Sequence, residues 1–129
     1  TDAGQIQQMV ELTEEKLGII DIVVANATPL QPQKPIQDYD WDCYQLMIDF
    51  FIKSPFLLTQ STLLQMKAKK WGRIINIAGG AGTSPSRRNM PTGTANITIL
   101  NMTRALSDAV SGEGSLVNTI CPGLAISSS

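Results

Sequence analysis

Three short runs of apolar, mostly β-branched residues punctuate this chain, and each is separated from the next by enough residues to hold a helix. They are Ile19–Val24, Arg73–Ile77 and Leu116–Ile120. The first is nearly continuous in apolar character, the pattern of a strand covered on both faces. Between the runs, apolar residues recur at helical spacing. Residues 2–17 carry a stripe of Ile6, Met9, Val10, Thr13 and Leu17, with Thr1 or Asp2 placed to cap its start and Gly18 to close its end. Residues 40–69 carry Tyr44, Met47, Ile48, Phe51, Ile52, Phe56, Leu63 and Met66, begin at the N-cap candidate Asp40, and contain Pro55, which should kink or interrupt the helix. Residues 92–110 carry Ile97, Leu100, Thr103, Leu106 and Val110. Strands that alternate with helices call for right-handed βαβ crossovers and a parallel sheet. The order predicts a single α/β domain over residues 1–129, an open parallel sheet of about three strands and three helices.

Such a sheet binds ligands at the carboxyl ends of its strands. That directs attention to the loop between Ala78 and Asn96, and to what can react there. The chain has no histidine, which removes the commonest general base and metal ligand. Its two cysteines, Cys43 and Cys121, lie far apart in apolar surroundings and read as buried thiols of a reducing compartment. No metal-ligand spacing occurs, so no metal site is expected. Formal net charge is −1, and the one basic cluster, Lys67, Lys69 and Lys70, falls at a predicted helix end, where cations belong. No nucleic-acid surface is expected. No apolar run approaches the ~18 residues that span a bilayer, and no signal peptide is visible, so neither a membrane nor export is expected and the location reads as cytoplasmic. Ser84, Ser86, Arg87 and Arg88 read as solvated loop residues. The cluster Gly79-Gly-Ala-Gly82 follows a strand, but Pro85 stands where a phosphate-binding turn needs its third glycine and no helix opens directly behind it.

Four landmarks stand in one order: Ile20-Asp-Ile-Val-Val-Ala-Asn-Ala27, Lys53-Ser-Pro-Phe-Leu-Leu-Thr-Gln60, Trp71-Gly-Arg-Ile-Ile-Asn-Ile77 and Val117-Asn-Thr-Ile-Cys-Pro-Gly123. Together they resemble the middle and later parts of a short-chain dehydrogenase/reductase. The resemblance implies a partial Rossmann-like domain, NAD(P) as cofactor, and hydride transfer to or from a carbonyl or alcohol carbon. It also implies what is missing, because nothing here matches the family's first strand and glycine-rich cofactor turn. The family's catalytic serine falls at Gly79, its tyrosine at Thr92 and its lysine at Asn96. Its upstream asparagine falls at Phe51, or at Asp49 if the helix carries a local insertion. The cofactor's ribose and nicotinamide would be approached by Asn26, Ala27, Ile77, Pro122 and Gly123.

These replacements have chemical weight. The family's pair works because an adjacent ammonium lowers a phenol pKa of about 10 until it exchanges protons near neutrality. A threonine hydroxyl is a far weaker acid, and an asparagine carries no charge to help it. The only tyrosines, Tyr39 and Tyr44, have no lysine four residues on, and no lysine follows Lys70. The sequence therefore predicts a non-catalytic or fragmentary relative without cofactor of its own, acting through binding or oligomerisation. The alternative is an NAD(P)-dependent enzyme completed by a missing N-terminal portion and a non-standard catalytic set. Homo-oligomer contacts are expected through the helices at 40–69 and 92–110, where Phe50, Phe51 and Phe56 exceed what one buried face needs, or through an open strand edge at 19–24.

Overall fold

A computed structural model of the chain describes residues 1–122. Helix α1 spans Ala3–Leu17; the Asp2 carboxylate accepts the Gln5 N–H at 2.9 Å to start it, and Gly18 at φ 88° ends it. Strand β1 follows at Ile22–Ala25. It begins three residues later than its apolar run suggested. Residues 18–21 turn the chain back from the helix, and the ladder starts where the Arg73 N–H reaches the Asp21 carbonyl.

The next helical region forms at the expected place. The Asp40 carboxylate caps it by accepting the Cys43 N–H at 2.8 Å. It consists of α2 (Trp41–Ile48), a π-turn (Asp49–Lys53) and α3 (Ser54–Lys69). The interruption expected at Pro55 takes the form of the π-turn just ahead of it, not of a loop. Proline offers no N–H, so the helix widens ahead of it, with Ser54 N–H bonding the Asp49 carbonyl five residues back. The boundary residues Ile48, Asp49, Lys53 and Ser54 keep right-handed helical angles, so the helical segments run on without a loop between them. Strand β2 (Gly72–Ile77), helix α4 (Met90–Ala109) and strand β3 (Ser115–Ile120) complete the order.

The three strands lie parallel in the order β1-β2-β3. On one face Val23, Ile74 and Val117 pack against Met66 of α3 and Val110 below α4. A buried polar chain joins the same layers: Asn76 Nδ2 donates to Thr103 Oγ1 at 2.9 Å, and Thr119 Oγ1 lies 2.7 Å from that hydroxyl. Helix α1 packs outside, on α3. All of these helices lie on one side of the sheet. On the other side, Ile22, Val24, Leu116 and Ile120 are each 50% or more exposed, with Ile75 and Ile77 between them. The two-sided cover expected for the first strand is absent among the described residues.

Several side chains face other ways than periodicity suggested. Ile97 is half exposed, and Ile99 takes the buried place. Phe51 is buried against Met47 and Ala95, where α2 meets α4, so it belongs to the core; Phe56 stays 45% exposed. Cys43 is half-buried and Cys121 exposed, a correction to the reading of both as buried. Cys121 lies just past the end of β3.

Candidate active site

The carboxyl ends of the strands converge on one edge of the sheet. Beyond β2, residues Gly80–Gly82 form a single 3-10 turn that lies on the first turns of α4. This contact depends on two glycines. A Cβ on Gly82 would stand 2.9 Å from the backbone of Asn96 and Ile97, and one on Gly93 would stand 3.0 Å from the Ala81 carbonyl. Gly82→Val should therefore lift the turn off the helix and cost about 1–3 kcal/mol, read as a lower urea midpoint. An unchanged midpoint would show that the turn is free to move.

Three of the positions singled out in the sequence come together here. Asn96 is fully buried; its Oδ1 accepts the Gly79 N–H and its Nδ2 donates to the Thr92 carbonyl at 2.8 Å. Thr92 is 2% exposed, and its hydroxyl lies 3.4 Å from the sulfur of Met47. The polar atoms are thus turned inward, onto one another and onto the backbone. A Cβ on Gly79 would sit 3.6 Å from Asn96 Oδ1, an ordinary contact, so that position has room for a side chain. The alternative position, Asp49, opens the π-turn. Asp49 accepts from Gln45 Nε2 at 2.9 Å on the solvent side, and Phe51 is core.

The positions expected near a cofactor lie at the carboxyl ends of the three strands. Asn26 and Ala27 line a cleft of about 80 Å³ with Phe50, Ser54, Pro55 and Leu58. Ile77 pairs with Ile120 and faces the uncovered side of the sheet, and Pro122 is exposed. Gly123 lies outside the described residues. A dinucleotide also needs free backbone N–H groups to hold its phosphates. Near the glycine cluster the N–H of Gly79 is taken by Asn96, that of Gly82 by the Gly79 carbonyl at 3.2 Å, and those of Thr83 and Ser84 by the Gly80 carbonyl at 3.1 and 2.9 Å. These four N–H groups are not free to hold a phosphate.

Two participants were missed in the sequence. Met47 meets Thr92 from 45 residues away. Tyr39 ties two loops: its hydroxyl lies 2.6 Å from the Pro32 carbonyl and 2.9 Å from that of Arg88. Only proline in the first loop and arginine in the second mark this region in the sequence, and neither signals a tyrosine bridge.

The model of the short chain dehydrogenase family matches residues 1–128. The chain belongs to the short-chain dehydrogenase family. It is 32% identical over 123 residues to a D-beta-hydroxybutyrate dehydrogenase of Rhizobium meliloti, covering 95% of this chain and 47% of that protein. Among solved structures it resembles a halohydrin dehalogenase bound to ethyl (2S)-oxiran-2-ylacetate, with 28% identity and a TM-score of 0.85 over 90% of this chain and 46% of the other. It also shares its fold with an NAD+-bound xylitol dehydrogenase, with 24% identity and a TM-score of 0.87 over 95% of this chain and 47% of the other. This short-chain dehydrogenase chain spans about half the length of the curated relatives it matches. Family membership supports NAD(P) as the cofactor of the family's fold. Among the described residues no helix is long and apolar enough to cross a membrane.

Proposed function

We propose that this chain is a non-catalytic short-chain dehydrogenase relative that acts through binding and assembly and holds no NAD(P) by itself. The observation that carries this reading is the inward closure of Thr92 and Asn96. In the family resemblance these positions hold the proton-transferring tyrosine and lysine. Here both are buried, and Asn96 bonds the backbone at Gly79 and Thr92. Neither is acidic or basic near neutrality, and Gly79 offers no hydroxyl. Assembly draws support from the outer faces of the helical layer, where Phe56, Leu64 and Ile97 are exposed. Cys43 and Cys121, both free thiols, suit a reducing cytoplasmic setting.

The test is titration of the chain with NADH and NADPH, followed by nicotinamide fluorescence and calorimetry. The expected result is no saturable binding in the micromolar range. Saturable binding would overturn the reading. A second reading is hydride transfer in an assembly completed by a cofactor-binding portion. Its support is the relatives' own names, which include a D-beta-hydroxybutyrate dehydrogenase. The halohydrin dehalogenase neighbour weighs the other way, since by its name this fold is not tied to dehydrogenation.

A further inference from the structure

We infer that the loops leaving β1 and β2 build a cleft for a small organic anion, with Arg87 and Arg88 holding its carboxylate or phosphate head. The cleft is lined by none of Gly79, Thr92 and Asn96, and the inference does not rest on the non-catalytic reading.

The cations come from two segments far apart in the chain. Lys34 lies in the loop after β1, Arg87 and Arg88 in the loop after β2. Tyr39 fastens the two loops. Its hydroxyl lies 2.6 Å from the Pro32 carbonyl oxygen and 2.9 Å from that of Arg88, and the Lys34 N–H donates to the same Arg88 carbonyl at 3.0 Å. The Tyr39 ring also stands edge-on to Tyr44 of α2, with centroids 6.2 Å apart, which anchors the tie to the helical layer. Beside the tie is a cleft of about 280 Å³ lined by Pro35, Ile36, Gln37, Arg87 and Arg88.

This cleft gathers positive charge without an acid to match it. Among the described residues Lys34, Arg87 and Arg88 form no ion pair, and Asp38, in the same short turn as Ile36, pairs with none of them. Lys34 Nζ lies 6.0 Å from the centroid of the Tyr39 ring, and the Arg88 guanidinium reaches only the Gln33 carbonyl, at 3.5 Å. Like charges held near one another repel. Here backbone bonds and a tyrosine keep them close, and an anion seated between them relieves the repulsion. Guanidinium forks take the oxygens of a carboxylate or phosphate two at a time, which sets the head of the ligand. Pro35 and Ile36, the latter 53% exposed, offer an apolar wall to its body. The volume falls just below the roughly 300–1,000 Å³ of small-molecule sites, which suits a short-chain acid or a phosphate monoester. A polyanion would need a longer basic track than this one patch on a chain of net charge −1.

The test titrates the 15N-labelled chain at low salt with hexanoate and with pentyl phosphate, which share a pentyl body and differ in the head. At least one should bind with a Kd under about 1 mM and shift the amide resonances of Lys34, Ile36, Arg87 and Arg88. The tighter of the two identifies the head. Arg87→Gln and Arg88→Gln should each weaken it about tenfold. Tyr39→Phe, which keeps the ring and unfastens the loops, should weaken it about threefold or more. Lys16→Gln removes an exposed cation from α1 and should leave binding unchanged. Inorganic phosphate and hexanamide, head and body alone, should bind at least about tenfold more weakly. No saturable shift with either anion up to about 10 mM would overturn the proposal. So would inorganic phosphate binding as tightly as the better of the two, the mark of an adventitious ion only. Arginine variants that bind no more weakly than Lys16→Gln would overturn it as well, by reducing the effect to net charge. Binding of NADH would refute the cofactor-free reading and leave this cleft standing.

Discussion

Replacing Asn96 with alanine is expected to lower stability by about 2–4 kcal/mol. Two terms add. Gly79 loses the acceptor of its N–H at a site where Asn96 is fully buried, and an orphaned buried donor costs about 1–3 kcal/mol. The missing amide also leaves a void beside Gly79, whose virtual Cβ would stand only 3.6–3.8 Å from it. For a chain of this size the melting temperature should fall by roughly 10 °C. Thr92→Val is the control. It exchanges a hydroxyl resting on the Met47 sulfur for a methyl of similar volume, and should cost under about 1 kcal/mol. Calorimetric melting of the two variants gives the comparison. Equal effects, or none at Asn96, would mean that the inward bonds do not hold the turn and that the site is open to ligand.

The second large effect lies at the opposite end of the sheet. Gly114 adopts φ +81°, and a Cβ there would stand 2.1 Å from the carbonyl oxygen of Lys70. Lys70 itself holds a left-handed conformation at φ 55° to end α3. The turn before β3 is thus pressed against the turn before β2, with no slack on either side. Gly114→Ala should cost about 3–5 kcal/mol, combining the left-handed penalty with a backbone clash that no side-chain motion relieves. Gly18→Ala separates the two terms. Gly18 has a similar φ of +88° with nothing within 4 Å of its virtual Cβ, so it should cost only about 1 kcal/mol. Urea midpoints measure both. Similar losses at the two positions would show that the 114–70 contact relaxes.

Much of this architecture was legible because local chemistry and period agreed. Asp2, Asp40 and Gly18 act as caps where the sequence put them, and the three apolar runs became strands in parallel register. What failed was sidedness. A run such as Ile19–Val24 is apolar at every position but Asp21, so it does not alternate clearly enough to say which face a helix covers, and the uncovered face with Ile22 and Val24 went unseen. The same limit misplaced Ile97 and Ile99, since two apolar residues two apart on a helix cannot both face the sheet. Pro55 marked where the long helix would be disturbed, but not that the disturbance would be a wider turn ahead of it. At the site, the positions Gly79, Thr92 and Asn96 could be counted out along the chain. Their bonding could not, because it depends on Met47 and on the close seat of Gly82, which only the folded chain brings near.

The strand register also sets how the chain must reach its native state. Ile22 pairs with Arg73, and Arg73 with Leu116, so each ladder closes a loop of about forty to fifty residues. No tight hairpin joins neighbouring strands among the described residues. The entropy of each closure is lost before any ladder bond forms, which places the sheet late and makes refolding slow relative to helix formation. During that interval the helices can form locally, while three apolar strands remain in water without partners. A newly made chain should therefore be most vulnerable to aggregation and most dependent on chaperones before β2 finds β1, and refolding yield should fall as protein concentration rises.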